Sequence, residues 1–118
     1  MSALKSMQAL GRLKAGTMNK TEAAYDKALA DRKHAGEIAW YRFEGVKLRL
    51  ADNTFYTPDF TVILADRSTE YHEVKGHWTD KARTKIKVAA SQHPYRFIAI
   101  KRSGRHSWSF EDLTSRSW

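Results

Sequence analysis

The spacing of apolar positions changes several times along this chain, and each change marks an element. Ala23, Ala24, Tyr25, Ala28 and Leu29 recur at helical spacing behind Asn19, with Glu22 three positions after that asparagine and Gly36 beyond the end. A capping residue, a reciprocating glutamate and a closing glycine predict a helix over about residues 20–35. Ile38 to Phe43 predicts a first strand, although Trp40, Tyr41 and Arg42 blur its alternation. After a turn at Gly45, Val46, Leu48 and Leu50 alternate with Lys47 and Arg49, the pattern of a half-buried strand with a basic outer face. Asp52 and Asn53 supply the next turn. Phe55 to Leu64 and Thr69 to Val74 are rich in β-formers and flank the turn formers of Ala65 to Ser68, which predicts a β-hairpin. Thr79 and Asp80 start a second helix whose stripe is Ala82, Ile86, Ala89 and Ala90, and Pro94 stops it. Tyr95 to Ile100 reads as a buried strand, and Trp108 to Leu113 as an edge strand or a packed tail. A hairpin, a helix and a buried strand in that order place the last strand parallel to an earlier one through a crossover. The expected class is α/β, a small mixed sheet flanked by two helices.

Composition narrows what this fold does. At 118 residues the chain is expected to form one domain over residues 19–118, preceded by a basic, flexible arm over residues 1–18. The stretch from Met1 to Lys20 holds Lys5, Arg12, Lys14 and Lys20 and no acidic residue, so it is either a phosphate-contacting arm or a frayed terminus. It has too little serine and arginine for a transit peptide and no secretory apolar core. No apolar run approaches the roughly 20 residues of a membrane span, so no membrane partner is expected and the cytoplasm is the default location. Without cysteine the chain has no disulfide, thiolate metal site or thiol nucleophile. The net charge of +8, with a pI near 9.9, is the footprint of a phosphate-backbone binder.

Between Tyr56 and Gly76 lies the one cluster whose side chains look selected for chemistry. On a strand, Glu73 and Lys75 share a face with Tyr71 while Val74 turns away, and Asp59, just after Pro58, can sit across from them. Glu22 lies at i, i+3 and i+7 spacing with Tyr25 and Leu29 on the inward stripe of the first helix, although a capping glutamate needs no chemistry. A hard cation such as Mg2+ or Mn2+ takes oxygen ligands, commonly one or two carboxylates plus substrate phosphate. Asp59 and Glu73 fit that need, with Glu22 completing the site and Lys75 beside the attacking water. Against this stands an ordinary Glu-x-Lys surface ion pair, worth at most about 1 kcal/mol. Lys20 and the second-helix cations Lys81, Arg83, Lys85 and Lys87 are either a solvated face or backbone contacts for nucleic acid. His77, just past the cluster, is either a phosphate contact or a loop histidine with no role, whereas His72 faces away. Trp78 and Tyr56 either stack on exposed bases or pack.

Pro58-Asp59, then Glu73-Val74-Lys75 on the next strand, with a glutamate on the first helix and an αβββαβ order, resembles the PD-(D/E)XK nuclease superfamily. The run from Asn19 to Arg102 is similar to small phage-encoded endonucleases of that superfamily, including relatives of Holliday-junction resolvases. The resemblance implies a restriction-endonuclease-like core, metal binding by Asp59 and Glu73, a lysine role for Lys75 and an accessory role for Glu22. It also implies Mg2+- or Mn2+-dependent cleavage of DNA, selective for branched, junction or flap structures, in the host cytoplasm. Small size and the two strands of a symmetric junction point to a homodimer. The competing expectations are a nucleic-acid-binding module that keeps the fold without catalysis, and a regulator that grips a host protein through the basic arm.

Overall fold

Residues 16–114 are described by the structure, a computed structural model; positions 1–15 of the expected basic arm and positions 115–118 lie outside them. Helix α1, Lys20–His34, starts as a closed capping box: the Glu22 amide donates to Asn19 Oδ1 at 2.8 Å, and the Asn19 amide donates to Glu22 Oε1 at 2.9 Å. At its other end Gly36 takes φ +85°, and the amides of Gly36 and Glu37 bond back to the carbonyls of Lys33 and Arg32. That closure needs a residue free to enter the left-handed region, which is why the helix stops at this glycine.

The remaining elements are β1 (Ile38–Phe43), β2 (Leu48–Ala51), β3 (Thr54–Tyr56), β4 (Phe60–Leu64), β5 (Thr69–Lys75), α2 (Asp80–Gln92), β6 (Arg96–Arg102) and β7 (Trp108–Asp112). A five-stranded mixed sheet runs in the order β1-β4-β5-β6-β7, and β2 and β3 pair separately. Only β5 and β6 are parallel, and α2 is the crossover between them. Thr79 caps α2 by accepting the Ala82 amide at 3.1 Å, and β7 forms the edge beside β6. The described residues thus form an α/β fold, with a mixed sheet and two helices.

One expected element is divided. Phe55 to Leu64 is not a single strand: β3 ends at Tyr56, the chain breaks across Thr57, Pro58 and Asp59, and β4 begins at Phe60. Pro58 has no amide to give a ladder, so the two halves serve different sheets. Asp59 therefore sits in the break rather than on a strand.

Alternation along β5 decides what each helix covers. His72 and Val74 face α1, where Tyr25, Leu29, Ile38, Phe60, Val62, Ile98 and Ile100 make one core. Tyr71 faces α2 and joins Tyr56, Ile86, Ala89, Phe97 and Ala99 in a second core, with Glu73 and Lys75 on the same side. Strand β6 contributes to both, which explains its unbroken apolar run. Among the described residues no helix is long and apolar enough to cross a membrane.

Candidate metal and nucleic-acid site

The break at Pro58 builds the site. Beyond the last register pair of β4 and β5, Phe60 with His72, the two strands part and the Val74 amide loses its neighbouring backbone. Asp59 Oδ2 takes that amide at 2.8 Å, so the carboxylate finishes the ladder that the proline interrupts. The Asp59 amide in turn donates to Glu73 Oε1 at 3.2 Å, and the Tyr56 hydroxyl donates to the same oxygen at 2.9 Å. Lys75 Nζ lies 3.8 Å from the other oxygen, Glu73 Oε2. The Asp59 carbonyl accepts the Glu44 amide at 2.8 Å, which ties the end of β1 to the same point. From the opposite layer, the charge of Glu22 acts on Asp59 while its Oε1 stays on the Asn19 amide.

The carboxylates pay for this crowding in proton affinity. Burial, then the charge of Glu73, then the charge of Glu22 push the Asp59 carboxyl up to about 8, against the pull of the Val74 amide. Burial also raises Glu73, with Tyr56, Lys75 and the Asp59 amide opposing it. Burial and the Glu73 charge lift the Tyr56 phenol far above its ordinary range, so it remains a donor. Two half-buried carboxylates with one half-exposed lysine beside them are short of positive charge.

These residues fit a hard divalent cation. Asp59 and Glu73 each commit one oxygen, and Asp59 Oδ1 and Glu73 Oε2 accept no hydrogen bond among the described residues. Among those residues no three His, Asp or Glu side chains meet closely enough to cage an ion by themselves. Mg2+ does not need such a cage, because it keeps several waters and is held by one or two carboxylates and the substrate.

No family model, curated protein or solved structure matches this chain.

The other expected contact residues are dispersed. Lys20 is exposed at the start of α1, and His77 is exposed just past β5. Trp78 is half-buried and donates its indole N–H to the Ile100 carbonyl at 3.1 Å. Tyr56 is buried, so of the two expected alternatives it packs, with its hydroxyl bonded to Glu73. Lys81 and Lys87 are exposed on α2, whereas Arg83 forms a two-pronged pair with Glu111 of β7, one arm at 2.8 Å, and clasps the helix to that edge strand. Lys85 Nζ lies 5.6 Å from the centre of the Tyr56 ring. With Lys47, Glu73 and Lys75 it lines a groove of about 390 Å³. Lys47 had no distinguishing sign in the sequence beyond its place on the basic side of an alternating strand.

A second buried polar chain lies across the sheet. Tyr25 Oη is 2.6 Å from His72 Nδ1, His72 Nε2 is 2.9 Å from Glu70 Oε1, and Arg96 donates to Glu70 Oε2 at 2.6 Å. Burial holds the His72 pKa below its usual range, with Glu70 opposing, and raises that of Tyr25. A protonated phenol and a neutral imidazole assign the roles: Tyr25 donates to Nδ1, and Nε2–H donates to Glu70. His72 thereby ties α1 to the strand that carries Glu73.

Proposed function

We propose that this chain is a divalent-metal-dependent endodeoxyribonuclease that hydrolyses phosphodiester bonds in branched DNA, with Asp59 and Glu73 as the metal-holding pair. The observation that carries this reading is the division of labour within each carboxylate. One oxygen is fixed by Val74 or by Tyr56 and the Asp59 amide, and the other accepts no hydrogen bond among the described residues. Bound Mg2+ or Mn2+ would supply Lewis acidity at the scissile phosphate and lower the pKa of a water.

The chain's own groups do the rest. Tyr56 and the Asp59 amide hold Glu73 in one orientation, and Val74 does the same for Asp59, so little rearrangement is needed when substrate arrives. Lys75, beside Glu73, orients the attacking water as a hydrogen-bond donor and offsets charge on the phosphate. Glu22 reaches the site from α1 and completes it through water. The order of α1, β1, β4, β5, α2 and β6, with β2 and β3 inserted, supports a restriction-endonuclease-like core. The enzyme works as a homodimer in the cytoplasm.

A binding module without catalysis is the second reading, and the lack of a ready-made three-ligand cage among the described residues favours it. Incubation with junction, flap and linear DNA plus Mg2+ or Mn2+ separates the two. Cleavage should favour branched substrates and fall by about 100-fold or more in Lys75→Ala. Cleavage no faster than that of Lys75→Ala supports the binding module.

A further inference from the structure

A groove that the sequence did not foretell runs between α1 and the turn joining β6 to β7. Its volume is about 410 Å³, and its walls carry Lys20 and Lys27 from the helix and Arg102, Arg105 and His106 from the turn. Lys20 and Lys27 are seven positions apart and so share one side of α1. Arg102 braces the facing wall: it donates to the Arg105 carbonyl at 2.8 Å and the Gly104 carbonyl at 3.2 Å, and its guanidinium lies 5.4 Å from the centre of the Trp108 ring. Among the described residues Lys20, Lys27 and Arg105 form no ion pair. Asp31 is the one carboxylate among the described residues of the lining.

Such a surface calls for a polyanion, and the chain does not supply one. The segments outside the described residues carry Lys5, Arg12, Lys14 and Arg116 but no Asp or Glu, so neither end complements the groove. Its position adds direction. Lys20 opens the same helical turn as Glu22, whose carboxylate neighbours Asp59. Lys75 pairs in register with Lys101, immediately before Arg102, so the β6–β7 turn leaves the same end of the sheet as the carboxylates. Lys47 and Lys85 flank that end on the α2 side.

We propose that this groove binds the phosphate backbone of the nucleic acid and leads it into the carboxylate site, across the end of the sheet toward Lys47 and Lys85. The proposal rests on the nuclease reading for its direction of travel. Phosphate contacts of this kind give affinity and register without base preference, and each one adds to the salt dependence of binding.

Fluorescence anisotropy with labelled junction DNA in EDTA tests the groove apart from cleavage. The double variant Lys27→Glu/Arg105→Glu should bind at least tenfold more weakly than the unmodified chain. It should also flatten the plot of log affinity against log salt by about 2. Lys33→Glu/Arg67→Glu makes the same charge change at the other end of the sheet and should stay within about twofold, with circular dichroism confirming that both variants fold. Equal weakening by the two variants, unaltered binding by the groove variant, or binding to phosphatidylserine vesicles with none to DNA overturns the proposal. Loss of affinity in the groove variant of a protein that never cuts DNA sinks the nuclease reading and leaves the groove assignment standing. Cutting with unchanged groove-variant affinity does the reverse.

Discussion

Asp59 occupies the place where a strand stops, and its proton affinity follows from that position. Its folded carboxyl titrates at about 8 against an ordinary value of 3.8, so between those limits the folded chain holds a proton that the unfolded chain releases. Metal-free stability should therefore fall as pH rises through that window. The other side of the sheet works in the opposite sense. His72 has a depressed pKa and destabilises the fold as pH drops below its unfolded value, and Glu70, also depressed, does so through the carboxylate range. Asp59→Asn keeps an acceptor for the Val74 amide and removes the charge. In EDTA it should raise unfolding free energy by about 1–3 kcal/mol at pH 8 and leave it nearly unchanged at pH 4. Urea titrations at the two pH values check this, and equal shifts at both would contradict it. Strand alternation made the shared face of Glu73 and Lys75 legible in the sequence. The hydroxyl partner of Glu73 was not, because no periodicity tells where Tyr56 ends up once the chain leaves its strand.

At the scale of elements, local signals were enough wherever the chain makes its own bonds. Asn19 with Glu22, Gly36, and Thr79 with Pro94 bound two helices whose caps close within a few residues. The division of Phe55–Leu64 was harder to read, since its β-forming composition continues on both sides of Pro58. The proline itself was the sign, as it cannot serve a central ladder. The Tyr25–His72 bond was out of reach, because it joins positions 47 apart in sequence and depends on how α1 lies across β5. Helix α1 carries Glu22 to the site, and that bond is one of its anchors. Tyr25→Phe leaves His72 Nδ1 buried without a donor and should cost about 1–3 kcal/mol. It should also slow cleavage more than it weakens DNA binding, because Glu22 rides on the loosened helix. Denaturant unfolding and paired rate and affinity measurements test this; full stability in the variant would show that the contact does not hold α1 in place.

Over the whole molecule, charge and topology meet at one end of the sheet. The net charge of +8 announced an anionic partner but not where it lies, because Lys and Arg occur along the whole sequence. Only the fold brings the start of α1, the exit of β5 and the β6–β7 turn together, with acidic groups between two basic grooves. A homodimer would set two such ends against the paired strands of a junction. Sedimentation at micromolar concentration should give the mass of two chains in the presence of junction DNA, and a one-chain mass both with and without DNA would dismiss the dimer. Recovery of the protein outside the cytoplasm on cell fractionation would contradict the proposed location. Each of these ideas depends on Asp59 and Glu73 being held together for a cation. Anomalous scattering from a Mn2+-soaked crystal tests that directly: the account predicts a peak between the carboxylates of Asp59 and Glu73. Saturating Mn2+ with no peak there, or with its peak at another site, would contradict the account.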